Sequence, residues 1–242
     1  VTISPATPGP NSYTTLASGP DFRHEISIKR SRFITVLRRV EQESSARELV
    51  TELRKEFYDA RHHCSAFVIG ADRSIQRSND DGEPSGTAGT PMLDALIKRE
   101  IRTPSTKGTT AHGAADLSDV CAVVVRYFGG ILLGAGGLVR AYSESVSTAL
   151  ELVPLARRER LKLFTVAVPH ADAGRLENDL RGAGYVMTGN TYDGASTHLG
   201  LAMSDDEQVI IDAMERLASL TAGRCTLIPT GTDWVDTALL SR

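Results

Sequence analysis

The 242-residue chain is 41% hydrophobic and carries a formal net charge of −3, which is enough apolar material for real cores and excludes a mostly disordered chain. A net charge this small excludes a general attraction to nucleic acid, so any basic binding surface must be a local patch. No apolar run approaches the roughly 20 residues that span a bilayer, and Cys64, Cys121 and Cys225, widely spaced with no CxxC pair, argue against a disulfide framework or a zinc site.

The charge is uneven. Residues 21–150 hold 18 Lys+Arg against 17 Asp+Glu, and residues 151–242 hold 9 against 13, which places a basic patch in the first part. The length allows one large domain or two small ones. The first 20 residues are rich in Ser, Thr, Pro and Gly and lack the basic start and apolar middle of a signal peptide. They read as a mobile arm. A reducing cytoplasm fits the cysteines. No cofactor and no metal site is implied, and nothing sets the oligomeric state.

From Ile26 to Val40 the alternation predicts two short strands around the basic KRSR. ESSARELVTELRKEFYDA predicts a helix, with Ser45 and Glu48 as a capping box and Leu49, Val50, Leu53 and Phe57 on one face. CSAFVIG and SIQRS read as paired strands, followed by the turn-forming NDDGEPSGTAG. Thr90 is positioned to cap a helix whose first residue is Pro91. Residues from Thr103 to Ala115 read as a long loop containing His112. VCAVVVRYF is almost wholly apolar and predicts a central strand buried on both faces. Five glycines within residues 129–137 follow, then a helix over Leu138–Leu152.

Residues 154–160, with Pro154 and ARRER, read as a linker between a domain over 21–153 and a second over 161–235, leaving 236–242 as a tail. The second domain reads as strand LKLFTVAVP, a helix over ADAGRLENDLRGAG, a hairpin, a helix capped by Ser204 and Glu207 and stopped at Gly223, and strand RCTLIPTG. That β-α-β-β-α-β order is the ferredoxin-like arrangement, so the fold class is α+β.

Three segments carry candidate chemistry. The stretch from Val123 to Tyr142 sets strand, Gly-rich turn and helix start in succession. Unpaired N–H groups at a helix N-terminus attract anions, and Arg126 and Arg140 flank the turn. It matches neither a Walker A motif nor G-x-G-x-x-G; the alternative is that Gly129, Gly130, Gly134, Gly136 and Gly137 serve tight turns and close packing. The second segment clusters Asp80, Asp81 and Glu83, candidates for acid–base work or Mg²⁺ binding, against the alternative of an acidic turn around Asp81-Gly82. The third, DARHHCSAF, offers His62 as a base and Cys64 as its neighbour on one strand face, although a buried Cys64 acting as a small hydrophobe is the stronger reading of that cysteine. Lys29, Arg30 and Arg32, with Arg157, Arg158 and Arg160 in ARRER, are candidate phosphate contacts or a solvated strand edge.

KRSRFI, DARHHCSAF, SNDDGEPSGTAGTPML and VVVRYFGGILLGAGGLVRAY, in this order, resemble the IMPACT/YigZ family over about Ile26 to Leu150, and the following module is similar to the C-terminal domain of its bacterial branch. The resemblance implies a first domain like the second domain of a small-subunit ribosomal protein and domain four of elongation factor G, and a ferredoxin-like second domain like the last domain of that factor. The family motif positions fall on His62, Cys64, Asp80, Asp81, Glu83, Pro84, Gly86, Thr87, Gly89, Arg126, Tyr127, Gly129, Gly130, Gly134, Gly136, Gly137, Arg140 and Tyr142. The expectation is a regulatory or binding protein of translation that contacts RNA, the ribosome or a translation factor. The alternative is a hydrolase or phosphate-ester enzyme using His62 with Asp80, Asp81 and Glu83.

Overall fold

In the computed structural model, residues 10–99, 102–104, 110–112 and 116–237 are described. The chain divides into two compact units at Arg157/Arg158. In the first, β1 is Ser12–Leu16, β2 Phe22–Ile28 and β3 Ser31–Arg39; helix α1 spans Glu43–Glu56, followed by β4 (His62–Ile69), β5 (Ile75–Asn79) and α2 (Gly89–Ile97). Short strands β6 (Arg102–Pro104) and β7 (Thr110–His112) pair with each other. Strand β8 (Val120–Tyr127) and helix α3 (Ala135–Leu152) complete the unit.

The main sheet is antiparallel in the order β2-β3-β8-β4-β5. Its centre is β8, whose first seven residues are buried, as an apolar run with material on both faces requires. Alternation along the strands builds two cores. Val120, Ala122 and Val124, with Cys64 and Ala66, pack under Met92 and Leu96 of α2 and Tyr142 and Val146 of α3. Cys121 and Val123, with Val36 and Phe67, pack against Ala46, Leu49 and Leu53 of α1.

Four sequence expectations shift here. Residues Ser12–Leu16, expected within the mobile arm, form β1, which is tied down by Thr14: its N–H donates to Asp116 O and its carbonyl accepts from Ser118 N–H. Neither expected cap forms: α1 starts at Glu43 after Gln42, and α2 starts at Gly89 rather than Pro91. Helix α3 starts at Ala135, three residues early, so Gly136 and Gly137 lie inside its first turn. Of the expected long loop over Thr103–Ala115, the described residues run as strands β6 and β7, and the rest, with the side chain of His112, lies outside the described residues.

The second unit takes up most of β9 (Leu155–Pro169), then α4 (His170–Gly182), β10 (Val186–Tyr192), β11 (Ser196–Met203), α5 (Glu207–Thr221) and β12 (Ile228–Thr237). Strand β9 pairs with β11 and with β12, and β11 pairs with β10. Alternate residues Phe164, Val166, Val168, Leu199 and Leu201 face Leu176 and Leu180 of α4 and Leu217 of α5. Three boundaries differ from expectation. The last strand, expected over residues 224–231, runs as β12 over Ile228–Thr237 and into the expected tail. The expected linker residues 155–160 run as the start of β9. Helix α5 is capped by Asp206, whose carboxylate accepts the N–H groups of Gln208 and Val209, in place of Ser204.

Candidate functional site

The acidic segment after β5 is a folded loop whose carboxylates are already engaged. Asp80 accepts three backbone N–H groups, from Gly86 at 2.8 Å, Ala88 at 3.0 Å and Gly89 at 2.8 Å. Burial opposes its charged form, but those donors outweigh burial and hold the carboxyl below its ordinary range. Asp81 accepts the N–H of His63 at 2.6 Å and pairs with Arg54. Asp80 thus closes the loop onto the start of α2, and Asp81 ties it to β4 and α1.

Glu83 turns inward. Its side chain is 4% exposed, and its Oε1 accepts from Arg126 Nη1 at 2.5 Å and from the Tyr142 hydroxyl at 2.8 Å. Arg126 lies over the rings of Phe33 and Phe128, at 5.5 and 5.7 Å. Antiparallel register sets His62 opposite Arg126, and His62 Nε2 stands 3.9 Å from Glu83 Oε1. His62 Nδ1 is hydrogen-bonded to the Asp81 carbonyl at 2.9 Å, which directs Nε2 toward Glu83. Cys64 Sγ donates to the Asp80 carbonyl at 3.0 Å, and burial pushes its thiol up to about 12. A thiol so placed stays protonated and unreactive. Among the described residues, no group of three or more His, Cys, Asp or Glu side chains is placed to hold a metal ion.

The acidic and Gly-rich segments therefore converge on one buried cluster, Glu83–Arg126–Tyr142, with His62 at its edge. Arg126 is spent there. It is 6% exposed and does not stand on the surface with Arg140.

The glycine loop itself is open. Gly134, Ala135 and Gly136 are exposed, and Leu138 N–H bonds to Gly134 O at 2.9 Å. The N–H groups of Ala135, Gly136 and Gly137 find no acceptor among the described residues. Gly134, at φ 72°, reverses the chain into the helix in a conformation that disfavours other residues. Arg140 is exposed and has no hydrogen-bond or ion-pair partner among the described residues.

The basic group at the start of the domain divides. Lys29 and Arg30 form the two-residue turn between β2 and β3, both left-handed at φ 45° and 67°. Both are exposed without a partner among the described residues. Arg32 is held by Glu25 through two bonds of 2.9 Å and lies 5.2 Å over Tyr127. Gly129 joins this turn to the glycine loop: a Cβ there would stand 2.1 Å from both C and O of Arg30. Gly130 follows, exposed. Of the ARRER arginines, Arg157 pairs with Asp116 and Arg160 is exposed.

Sequence reasoning missed the apolar tip of this surface. Phe128, Ile131 and Leu132 are 45%, 41% and 83% exposed. Their signal was present in the aliphatic run Ile131-Leu132-Leu133 set between glycines, away from any periodic element, of which Leu133 alone packs against the core.

The model of the Impact N-terminal domain family matches residues 29–105 and 109–150. The chain is 42% identical over 177 residues to the IMPACT family member YvyE of Bacillus subtilis (strain 168), covering 73% of each chain. It is 43% identical over 141 residues to the IMPACT family member YigZ of Escherichia coli (strain K12), covering 57% of this chain and 61% of that one. A crystal structure described as that of a hypothetical protein is 33% identical, with a TM-score of 0.53, over 91% of this chain and 98% of its own.

Proposed function

The chain belongs to the IMPACT family, and from that membership we propose that it is a cytoplasmic, translation-associated binding protein that takes up phosphate groups of RNA, on the ribosome or free, at the start of α3. The observation that carries this reading is the set of three acceptor-free N–H groups at exposed Ala135 and Gly136 and half-buried Gly137. The positive end of an 18-residue helix lies behind them. Lys29 and Arg30 supply charge beside Gly129, and Arg140 supplies it from the second turn of α3. The β-α-β-β-α-β order of the second unit, with β12-β9-β11-β10 as neighbours, supports reading it as the ferredoxin-like module of the bacterial branch. The family resemblance implies units like elongation-factor domains, and that implied likeness supports the link to translation by analogy of fold alone.

Co-sedimentation with ribosomes across a salt series tests this. Association should weaken steeply with salt, and neutralising Lys29, Arg30 and Arg140 together should flatten the dependence by about one counterion each. Gly136→Ala should weaken binding without lowering stability, because its Cβ meets nothing within 4 Å in the protein. No association at low salt would end the reading.

A further inference from the structure

A second surface of the first unit, far in sequence from the glycine loop, has the features of a peptide-binding edge. Strand β5 ends the sheet. It pairs along its length with β4, from Ser65↔Asn79 to Ile69↔Ile75. No backbone group among the described residues bonds to its outer side. A free edge of five residues, about 17 Å long, is a template for another strand.

Beside that edge the sheet face is only partly covered. Helix α1 buries Leu49 and Leu53 over β3, β8 and β4, and leaves a groove of about 440 Å³ toward β5. Register places Arg77 opposite Phe67 and Asn79 opposite Ser65, on the same face. Phe67 and Val50 give the groove an apolar floor and wall, and Arg47, Arg54 and Arg77 ring it. Glu43 also lines the groove and pairs at 3.2 Å with Arg47, whose own side chain is exposed, and Arg54 is spent on Asp81. Arg77 has no carboxylate partner among the described residues; its Nη1 donates to the Gln76 carbonyl at 2.9 Å.

We propose that the groove and the β5 edge bind an extended, acidic polypeptide segment of a partner protein, which adds to the sheet as a further strand. Main-chain bonds to β5 would supply affinity, and a carboxylate opposite Arg77 would supply selectivity. The same arginine explains why the edge does not pair with a second copy of itself, since two copies would bring like charges together. An acidic segment reverses that repulsion. The proposal is independent of the glycine loop, and its residues play no part in the phosphate reading.

The probe is a capped seven-residue peptide alternating Glu and Thr, titrated into the full chain and followed by amide chemical shifts and hydrogen exchange. The expected result is saturable shifts and slowed exchange over Ile75–Asn79, and about tenfold weaker binding by Arg77→Glu, an exposed position whose change leaves the fold intact. The peptide with Lys in place of Glu should not bind, and N-methylation of alternate amides should abolish binding. The proposal is overturned if β5 shows no shifts, if the Lys or N-methylated peptide binds as well, or if inorganic phosphate produces the same shifts.

Discussion

The guanidinium of Arg126, on the central strand, lies 2.5 Å from the carboxylate of Glu83, 43 residues earlier in the loop after β5, with both side chains more than nine-tenths buried. This pair joins the acidic and Gly-rich segments, and Tyr142 of α3 completes it at 2.8 Å. Removing one partner strands the other charge in the interior, so Glu83→Gln or Arg126→Met should each cost about 3–5 kcal/mol in denaturant unfolding. The double change Glu83→Leu with Arg126→Met should recover much of that loss, since no charge is then left unpaired.

The Cys64 thiol, pushed up to about 12 by burial, should resist alkylation in the folded protein at pH 8. Cys121, fully buried and raised likewise, should resist too, while the partly exposed Cys225 reacts. Mass spectrometry after iodoacetamide treatment reads the difference. Rapid labelling of Cys64 in the folded state would contradict the buried cluster described above.

Asp80 has a folded-state pKa below its ordinary value because three N–H groups favour the carboxylate over the opposing effect of burial. A depressed carboxyl stabilises the fold above the unfolded value of 3.8 and loses that contribution as pH falls through the folded value. Asp80→Asn should therefore cost about 1–2 kcal/mol near pH 7. The gap between wild type and variant should close as pH drops below about 4, as measured by urea midpoints across a pH series.

The glycines of the loop should separate into two kinds. Gly129→Ala drives a Cβ to 2.1 Å from the Arg30 backbone, which should cost more than about 2 kcal/mol. Gly136→Ala meets nothing within 4 Å and lies in a helix, where alanine should gain roughly 0.5 kcal/mol. Thermal unfolding of the two variants distinguishes a packing glycine from one kept for access to the backbone.

What was legible in the sequence was local. The 3.6-residue spacing of Leu49 and Leu53 marked α1, and the apolar run Val120–Val125 marked the central strand. Element ends were harder, because caps compete. Asp206 stands two residues beyond Ser204 and offers a carboxylate to the same free N–H groups. The early start of α3 was hidden by Gly136 and Gly137, which read as turn residues yet sit in a helix where neither needs left-handed backbone. The inward turn of Glu83 was not legible at all. Three acids in four residues look alike in sequence; only the pairing of β4 with β8, which sets His62 against Arg126, shows which of them meets a buried guanidinium.

The most direct measurement of the central claim is a titration of the ¹⁵N-labelled protein with a single-stranded RNA oligonucleotide at low salt. If the start of α3 is a phosphate receptor, the amides of Ala135, Gly136 and Gly137 should shift most, together with those of Lys29 and Arg30 beside Gly129, and the shifts should fade as salt rises. Unmoved amides at Ala135–Gly137, while RNA binds elsewhere or not at all, would contradict the account.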